Sequence, residues 1–258
     1  MTDKNTLEVI NFCKEKNIPF YIGNPRKDEA LVFYKDFIID VLISINYLFL
    51  IQQSLIDLPK EIAFNIHGSL LPKYRGRTPH VWAIINNEKE TGVTAHIIDQ
   101  GCDTGSILKQ IKVIIEDNDT GWTILEKYKK IYHPLILDVL KEIKNNNLKP
   151  TMQNMGKSTY FGKRTSEDGR INWQWQKERI RNWVRAQSYP YPGAFTQFGS
   201  YKLIIDQIEF DENGFELNMP NGLVLNKKPL LIKTPNGVIK ISKVRDNIDF
   251  INVGDILN

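Results

Sequence analysis

The strongest constraint on the fold is a change of pattern after Asn146. Before it, apolar runs rich in β-branched residues alternate with segments of helical spacing. Such alternation indicates a parallel sheet covered by helices. After it, short strand-like runs separated by Gly, Asn and Pro turns predominate, which is typical of a small β-rich unit. We therefore predict an α/β fold with a parallel sheet and a smaller β-rich, barrel-like C-terminal module.

Three regions follow from this change of pattern. We expect a catalytic α/β domain over residues 1–150, a helical linker region over residues 151–192 and the β-rich module over residues 193–258. The first region contains predicted helices over residues 5–17, capped by Asn5 or Thr6, and 120–147, capped by Thr120. Its predicted strands are residues 18–23, 39–51, 63–67, 92–99 and 106–115, and the last alternates strictly enough to be an exposed edge strand. The linker region contains one predicted helix over residues 176–188.

Composition narrows the class of protein. Of the 258 residues, 41% are hydrophobic and 25% are charged, as in ordinary soluble domains. No apolar run approaches the ~18 residues of a membrane helix, and the N-terminus has no apolar signal core, so we expect a cytoplasmic protein. Cys13 and Cys102 provide neither a disulfide framework nor metal-ligand spacing, and no metal is predicted. The net charge of +4 is spread along the chain, which favours an anionic ligand and argues against nucleic acid.

Polar side chains follow two of the predicted strands. Asn65 and His67 lie two residues apart at the end of an apolar run, so they project from the same side of a strand. Asp103 lies between Gly101 and Gly105, just after the strand-like residues 92–99. Ligands of parallel sheets bind at the carboxyl ends of the strands. We therefore expect these three side chains to converge.

The chemistry of the three side chains suits acyl transfer to an amine. An Asn amide donates to a developing oxyanion, a His moves a proton near neutral pH, and an Asp orients the His or itself accepts a proton. The residues alone leave a structural alternative open, in which Asn65 and His67 only cap the strand and Asp103 is a turn residue.

A longer pattern surrounds these residues. It consists of Asn-x-His, Ser-Leu-Leu-Pro, Tyr-Arg-Gly and a distant Asp before Thr-Gly, and it extends from Phe64 to Leu108. It closely resembles the core of the formyltransferases that use 10-formyltetrahydrofolate. The resemblance implies a Rossmann-like sheet. Members of that family open with a strand, a turn and a helix, whereas this sequence opens on the pattern of a later helix, so we expect the usual first strand to be missing.

The resemblance also implies roles for particular residues. Asn65, His67 and Asp103 correspond to the catalytic trio: Asn65, with protonated His67, would hold the oxyanion, and Asp103 would orient His67 and help remove the proton of the amine. The folate would be bound along the loop after the second predicted strand and beside the Asp-containing loop. The residues at these positions are Phe49, Leu50, Ile51, Arg77, Asp99 and Gln100.

Three features resemble the branch of the family that formylates nucleotide-linked amino sugars. They are the His80-x-Trp82 pair, His96, and the stretch over residues 160–173, which carries Ser166 in place of the usual Pro. We expect Lys163 and Arg164 to meet the diphosphate and Tyr191 to stack on the nucleobase. The expected function is formyl transfer from 10-formyltetrahydrofolate to a nucleotide-linked aminodeoxy sugar, for lipopolysaccharide (O-antigen) synthesis. A homodimer is compatible with the sequence.

Three other functions stay open. The first is a methionyl-tRNA formyltransferase, against which the absence of a basic cluster argues. The second is a non-catalytic relative that binds folate or a sugar nucleotide, against which the complete trio argues. The third is a hydrolase that releases formate from the same folate.

Overall fold

The computed structural model describes residues 7–47 and 50–258 of the chain. Its first half contains five helices among these residues: α1 (Leu7–Glu15), α2 (Asp28–Tyr34), α3 (Gln53–Ile56), α4 (Pro79–Ile85) and α5 (Gly121–Lys144). The strands are β1 (Val41–Ile45), β2 (Ile62–His67), β4 (Glu90–Ile97) and β5 (Ile107–Ile114). A short strand β3 (Arg75–Gly76) pairs separately with β6 (Tyr160–Phe161). The α/β architecture predicted for this half is therefore confirmed.

The four-stranded sheet is mixed rather than fully parallel. Its order is β1-β2-β4-β5, and only β1 and β2 run parallel, because β4 is antiparallel to both β2 and β5. A parallel crossover needs a dozen or more residues, and the connection between β4 and β5, residues 98–106, is shorter. The strand β5 lies at the sheet edge, as its alternation predicts.

The long helix α5 anchors the core of this half. Thr120 caps its start, since its side chain accepts from the Thr123 N–H while the Thr123 hydroxyl accepts from the Thr120 N–H. Tyr128 and Leu135 on α5 are fully buried against β2 and β4, where Phe64 and Ala95 are also buried. Full burial of one large apolar side chain stabilises a fold by roughly 1.5–3 kcal/mol. This packing fixes the sheet that bears the predicted site residues.

Two predictions near the N-terminus differ from the structure. Residues 18–23 form no strand apart from a bridge at Ile22. Tyr21 packs instead on Phe33, with ring centroids 5.9 Å apart, in a small cluster with Tyr34. Local β propensity therefore does not become a strand here, because tertiary packing overrides it. The strand predicted over residues 39–51 contracts to β1, and the predicted caps Asn5 and Thr6 lie outside the described residues.

The C-terminal module is a five-stranded antiparallel sheet of order β7-β8-β11-β10-β9. Its strands are β7 (Ala194–Phe198), β8 (Tyr201–Asp211), β9 (Val224–Asn226), β10 (Leu230–Thr234) and β11 (Gly237–Val244). The last residues of the chain bond to both edge strands: Gln197 of β7 exchanges two backbone hydrogen bonds with Asn258, and the Val224 N–H of β9 donates to the Asp255 carbonyl. This segment bridges the two edges, which gives the sheet its barrel-like form.

Helix α6 (Lys177–Ala186) lies in the predicted linker region and packs on both halves. Ile180 and Val184 are buried in the core of the C-terminal module, while Ala186 is buried in the core of the first half. Arg185 also donates to the backbone carbonyls of Glu116 and Asp119 ahead of α5. The three-region division stays a prediction. Within the described residues, no helix is long and apolar enough to cross a bilayer.

Candidate active site

Asn65 and His67 project together from the end of β2, as the strand period predicts. β2 lies between β1 and β4 in the sheet, so hydrogen bonds on both sides hold its backbone. The His67 Nε2 atom lies 2.8 Å from the Tyr74 carbonyl oxygen. Because a carbonyl only accepts, Nε2 carries the hydrogen and Nδ1 is the nitrogen that remains for chemistry.

Asp103 reaches the same place from the loop between β4 and β5. Its Oδ1 atom lies 3.5 Å from His67 Nδ1, and its Oδ2 atom accepts from the Gly76 N–H at 2.9 Å. The predicted convergence is therefore found, but the predicted reason for it is wrong. β4 is antiparallel to β2, so the two strands do not end at a common edge, and the loop after β4 must carry Asp103 to His67.

The backbone around Asp103 is built for this placement. Asp103 has φ 57°, a left-handed conformation that Asp tolerates better than most residues. Gly105 packs on β4 so closely that a Cβ atom would lie 1.9 Å from the Ile97 carbonyl oxygen. The Gln153 side-chain amide donates to the carbonyls of Asp103 and Gly105, at 2.9 and 2.7 Å. Backbone that is held in a rarely populated region is common at functional sites.

The pKa values of Asp103 and His67 are both lowered, for different reasons. Burial alone would raise the pKa of Asp103, but contacts with His96, His67 and the Gly76 N–H hold it well below its usual value. Burial lowers the pKa of His67 and outweighs the opposing effect of Asp103. The carboxylate is therefore ionised and the imidazole neutral at pH 7. A neutral imidazole accepts a proton, and an adjacent carboxylate stabilises the resulting cation.

A second histidine completes the cluster. His96 on β4 is the direct cross-strand partner of Asn65 and is buried. Its Nε2 atom lies 3.1 Å from Asn65 Nδ2 and 3.4 Å from Asp103 Oδ1. Sequence reasoning singled out His96 as a marker of one family branch. It did not predict this contact, which depends on the β2–β4 register.

The cluster opens into one large cavity of about 640 Å³. The cavity is lined by residues that follow β1 and β4, and by residues of α4, α5 and the loop before β7, several of which are aromatic. The residues that line it include Leu50, Ile51, Arg77, Asp99, Ile98, His80, Leu125, Tyr128, Tyr132 and Tyr191. Among the described residues, no group of three or more His, Cys, Asp and Glu side chains is arranged to hold a metal.

Most of the predicted folate residues lie at this cavity. Leu50, Ile51, Arg77 and Asp99 line it. Gln100 does not: its exposed side chain donates to Gln53 instead. The predicted residue Phe49 lies outside the described residues.

The predicted diphosphate residues are not at the cavity wall. Lys163 is exposed and does not line the cavity. The Arg164 guanidinium lies between the rings of Trp82 and Trp183, 4.9 and 4.5 Å from their centroids, and it also donates to the Gln187 side chain. We therefore correct the sequence interpretation: Arg164 packs as a cation between Trp82 of α4 and Trp183 of α6, and stacking on these two indole rings favours its position inside the protein.

Tyr191, by contrast, does line the cavity. Its hydroxyl lies 2.9 Å from His80 Nε2. Burial lowers the pKa of His80 to about 4 and raises that of Tyr191 to about 12, so both side chains are neutral at pH 7. Sequence reasoning missed Tyr128 and Tyr132, although their spacing of four residues places them on one face of a helix.

The fold and the site together define a class of protein. It is an α/β protein whose cavity brings together an amide donor, a neutral imidazole and an ionised carboxylate, a set that suits acyl transfer to an amine. The sequence matches the formyl transferase family over residues 4–140, and the formyl transferase C-terminal domain over residues 163–257. The chain therefore belongs to the formyl transferase family of enzymes.

Solved structures of three kinds are similar to this chain. HypX from Aquifex aeolicus, in complex with tetrahydrofolic acid, is 20% identical with a TM-score of 0.66 over 96% of this chain, which spans only 44% of HypX. WlaRD, a sugar 3N-formyl transferase in the presence of dTDP and 5-N-formyl-THF, is 26% identical with a TM-score of 0.64, over 95% of this chain and 87% of its own. A methionyl-tRNA formyltransferase from Clostridium thermocellum is 21% identical with a TM-score of 0.61, over 83% and 93% of the two chains. The likenesses below 25% identity show the shared fold.

Proposed function

We propose that the protein transfers a formyl group from 10-formyltetrahydrofolate to the amino group of a nucleotide-linked aminodeoxy sugar. The observation that carries the reaction type is the cluster of Asn65, His67 and Asp103 at the wall of a 640 Å³ cavity. The predicted linker region contributes to this arrangement, because Gln153 supports the backbone of Asp103.

The cavity fits the folate donor. Leu50, Ile51 and Ile98 provide apolar surface in the lining of the cavity, and a flat pterin ring requires such surface. Arg77 and Asp99 also line the cavity and provide polar groups for orientation. When bound, the folate supplies the formyl carbon and leaves as tetrahydrofolate.

Each member of the trio has one task in the reaction. Asn65 donates an amide hydrogen to the formyl oxygen as negative charge develops on it. His67 accepts the proton that the attacking amine loses, at Nδ1, because Nε2 is held by the Tyr74 carbonyl, and it gives this proton to the folate nitrogen that leaves as its bond to the formyl carbon breaks. Asp103 stabilises the imidazolium that forms. The proton-accepting role predicted for Asp103 passes to His67, since a carboxyl with so low a pKa is a weak base.

The proposal that a nucleotide-linked sugar accepts the formyl group depends on a few residues of the cavity. His80 of the His-x-Trp pair lines the cavity and is joined there to Tyr191. With Leu125, Tyr128 and Tyr132 they form a neutral, largely aromatic surface, which suits a sugar ring and a nucleobase better than a phosphate backbone. The similarity to WlaRD supports the same acceptor class.

The test is a panel of acceptors. The protein is incubated with 10-formyltetrahydrofolate and nucleotide-linked amino sugars that differ in sugar, amino position and nucleotide, with methionyl-tRNA in parallel. We expect one sugar nucleotide to gain the mass of a formyl group in place of a hydrogen atom. Formylation of the tRNA alone would show that the proposed acceptor is wrong. Release of formate without any formylated acceptor would show that the enzyme is a hydrolase.

A further inference from the structure

The buried histidine opposite Asn65 is not a member of the trio, yet it contacts two of the three members. The His96 Nδ1 atom lies 2.8 Å from the carbonyl oxygen of the next residue, Ile97. A carbonyl has no hydrogen to donate, so Nδ1 must carry the hydrogen of the ring. In the neutral imidazole this leaves Nε2 as an acceptor, and the backbone of β4 thereby selects the tautomer.

The acceptor at Nε2 determines the orientation of the Asn65 amide. Asn65 Nδ2 lies 3.1 Å from this nitrogen and donates one of its two hydrogens to it. If the amide were rotated by half a turn, its oxygen would face an acceptor, and both groups would lose this hydrogen bond in a partly buried position. The nitrogen of the amide is therefore held on the side of His96, and its second hydrogen is left for the cavity that Asn65 lines.

Asp103 restricts the arrangement further. Its Oδ1 atom lies 3.4 Å from the same His96 nitrogen, so Nε2 can either accept from Asn65 or, with a proton, donate to Asp103. The contact with Asn65 is the shorter one.

We propose that His96 is a positioning residue that orients the Asn65 amide, so that Asn65 presents an N–H to the formyl oxygen. This proposal rests on the proposed function for the identity of the acyl group and for the oxyanion role of Asn65. It requires no contact between His96 and either substrate.

Two variants separate orientation from packing. His96→Phe keeps a ring in the same space but has no acceptor, whereas the side-chain oxygen of His96→Gln reaches the place of Nε2 and accepts from Asn65. Removal of a whole oxyanion donor costs about 100- to 1000-fold in turnover, so its misorientation in His96→Phe should cost about 10- to 100-fold in kcat. We expect KM for both substrates to change little, and His96→Gln to recover most of the lost rate.

A control variant, Leu135→Ala, removes a fully buried side chain of the same core and should lower Tm without lowering kcat at a temperature where it is folded.

A double-mutant cycle tests whether His96 acts through Asn65. In the Asn65→Ala background, His96→Phe should cost about 3-fold or less, because two residues that act as a unit are not additive. A full independent loss in that background, equal losses in the Phe and Gln variants, or losses that follow Tm would each overturn the proposal.

The tautomer of the His96 ring can be tested without an enzyme assay. Long-range ¹H–¹⁵N correlation spectra of ¹⁵N-histidine-labelled protein, assigned with His96→Gln, should show His96 with hydrogen on Nδ1 and none on Nε2 at pH 7. The opposite tautomer would overturn the proposal. If the tautomer and the cycle agree but the formylated acceptor is not a sugar nucleotide, only the proposed acceptor fails.

Discussion

Asp103→Asn separates the charge of this residue from its shape. An Asn at this position tolerates the left-handed backbone that Asp103 adopts. The amide oxygen of the new Asn can still accept from the Gly76 N–H. What disappears is the negative charge 3.5 Å from His67 Nδ1. We therefore expect kcat to fall while the fold and the binding of both substrates are retained.

The distance sets the size of the expected loss. At 3.5 Å, opposite unit charges attract by about 5 kcal/mol at an effective dielectric constant of ~20. A factor of ten in rate corresponds to about 1.4 kcal/mol. The neutral amide still interacts with the imidazolium, so part of the attraction is retained, and we expect a loss of about 100- to 1000-fold in kcat, within the usual range for acid–base groups.

The assay combines rate, stability and titration. Turnover is measured with both substrates saturating, Tm by calorimetry, and the His67 pKa by NMR. The His67 pKa should fall in the variant, because the Asp103 charge raises it in the parent protein. Asp119→Asn is the matched control: it removes a buried carboxylate paired with Lys127, away from the cavity, and should lower Tm but not kcat.

Three results would refute this reasoning. They are a loss in kcat smaller than about 10-fold, far below the usual range for an acid–base group, an unchanged pKa of His67, and a loss of activity that merely follows the unfolded fraction.

Four further changes have expected outcomes. Asn65→Asp should reduce kcat at least as much as Asn65→Ala, by ~100-fold or more, because a carboxylate has no hydrogen to donate to an oxyanion; rates at saturation decide it. Leu50→Glu should weaken folate binding and leave acceptor binding unchanged in separate titrations, because Leu50 lines the cavity in the loop after β1, where we propose that the folate binds. Arg164→Ala should lower the free energy of unfolding by about 1–2 kcal/mol, through lost stacking on two tryptophans, with KM for the acceptor unchanged. Burial lowers the His80 pKa to about 4, below its value in the unfolded chain. Neutral His80 therefore contributes up to about 3 kcal/mol to the free energy of unfolding above pH ~6.5, and this contribution is lost as the pH falls towards 4. The variant His80→Gln should lack this part of the pH dependence when unfolding is measured by chemical denaturation.

Local patterns predicted the parts of the site that depend on one strand or one helix. The two-residue period of β2 places Asn65 beside His67, and the helix capped by Thr120 is found as predicted. The β-rich module was predictable from its turns. The position of Asp103 just after the strand-like residues 92–99 predicted its place beside the other two, and the family resemblance implied the same residue.

Features that depend on distant parts of the chain were not predictable from such patterns. The antiparallel direction of β4 places His96 opposite Asn65, and no local signal gives that register. Arg164 was expected at the diphosphate because Arg side chains bind phosphate groups well. Only the packing of α4 against α6 puts two indole rings around it. The support of Asp103 by Gln153 likewise joins segments fifty residues apart.

The most direct test of the proposed reaction follows the formyl carbon. ¹³C-formyl-labelled 10-formyltetrahydrofolate is given to the parent protein and to Asn65→Ala, with the sugar nucleotide that the acceptor panel identifies. NMR should show a ¹³C-formamide on the sugar nitrogen with the parent protein and hardly any with the variant. Label that appears as free formate, or a formamide formed equally fast by both proteins, would contradict formyl transfer by this site.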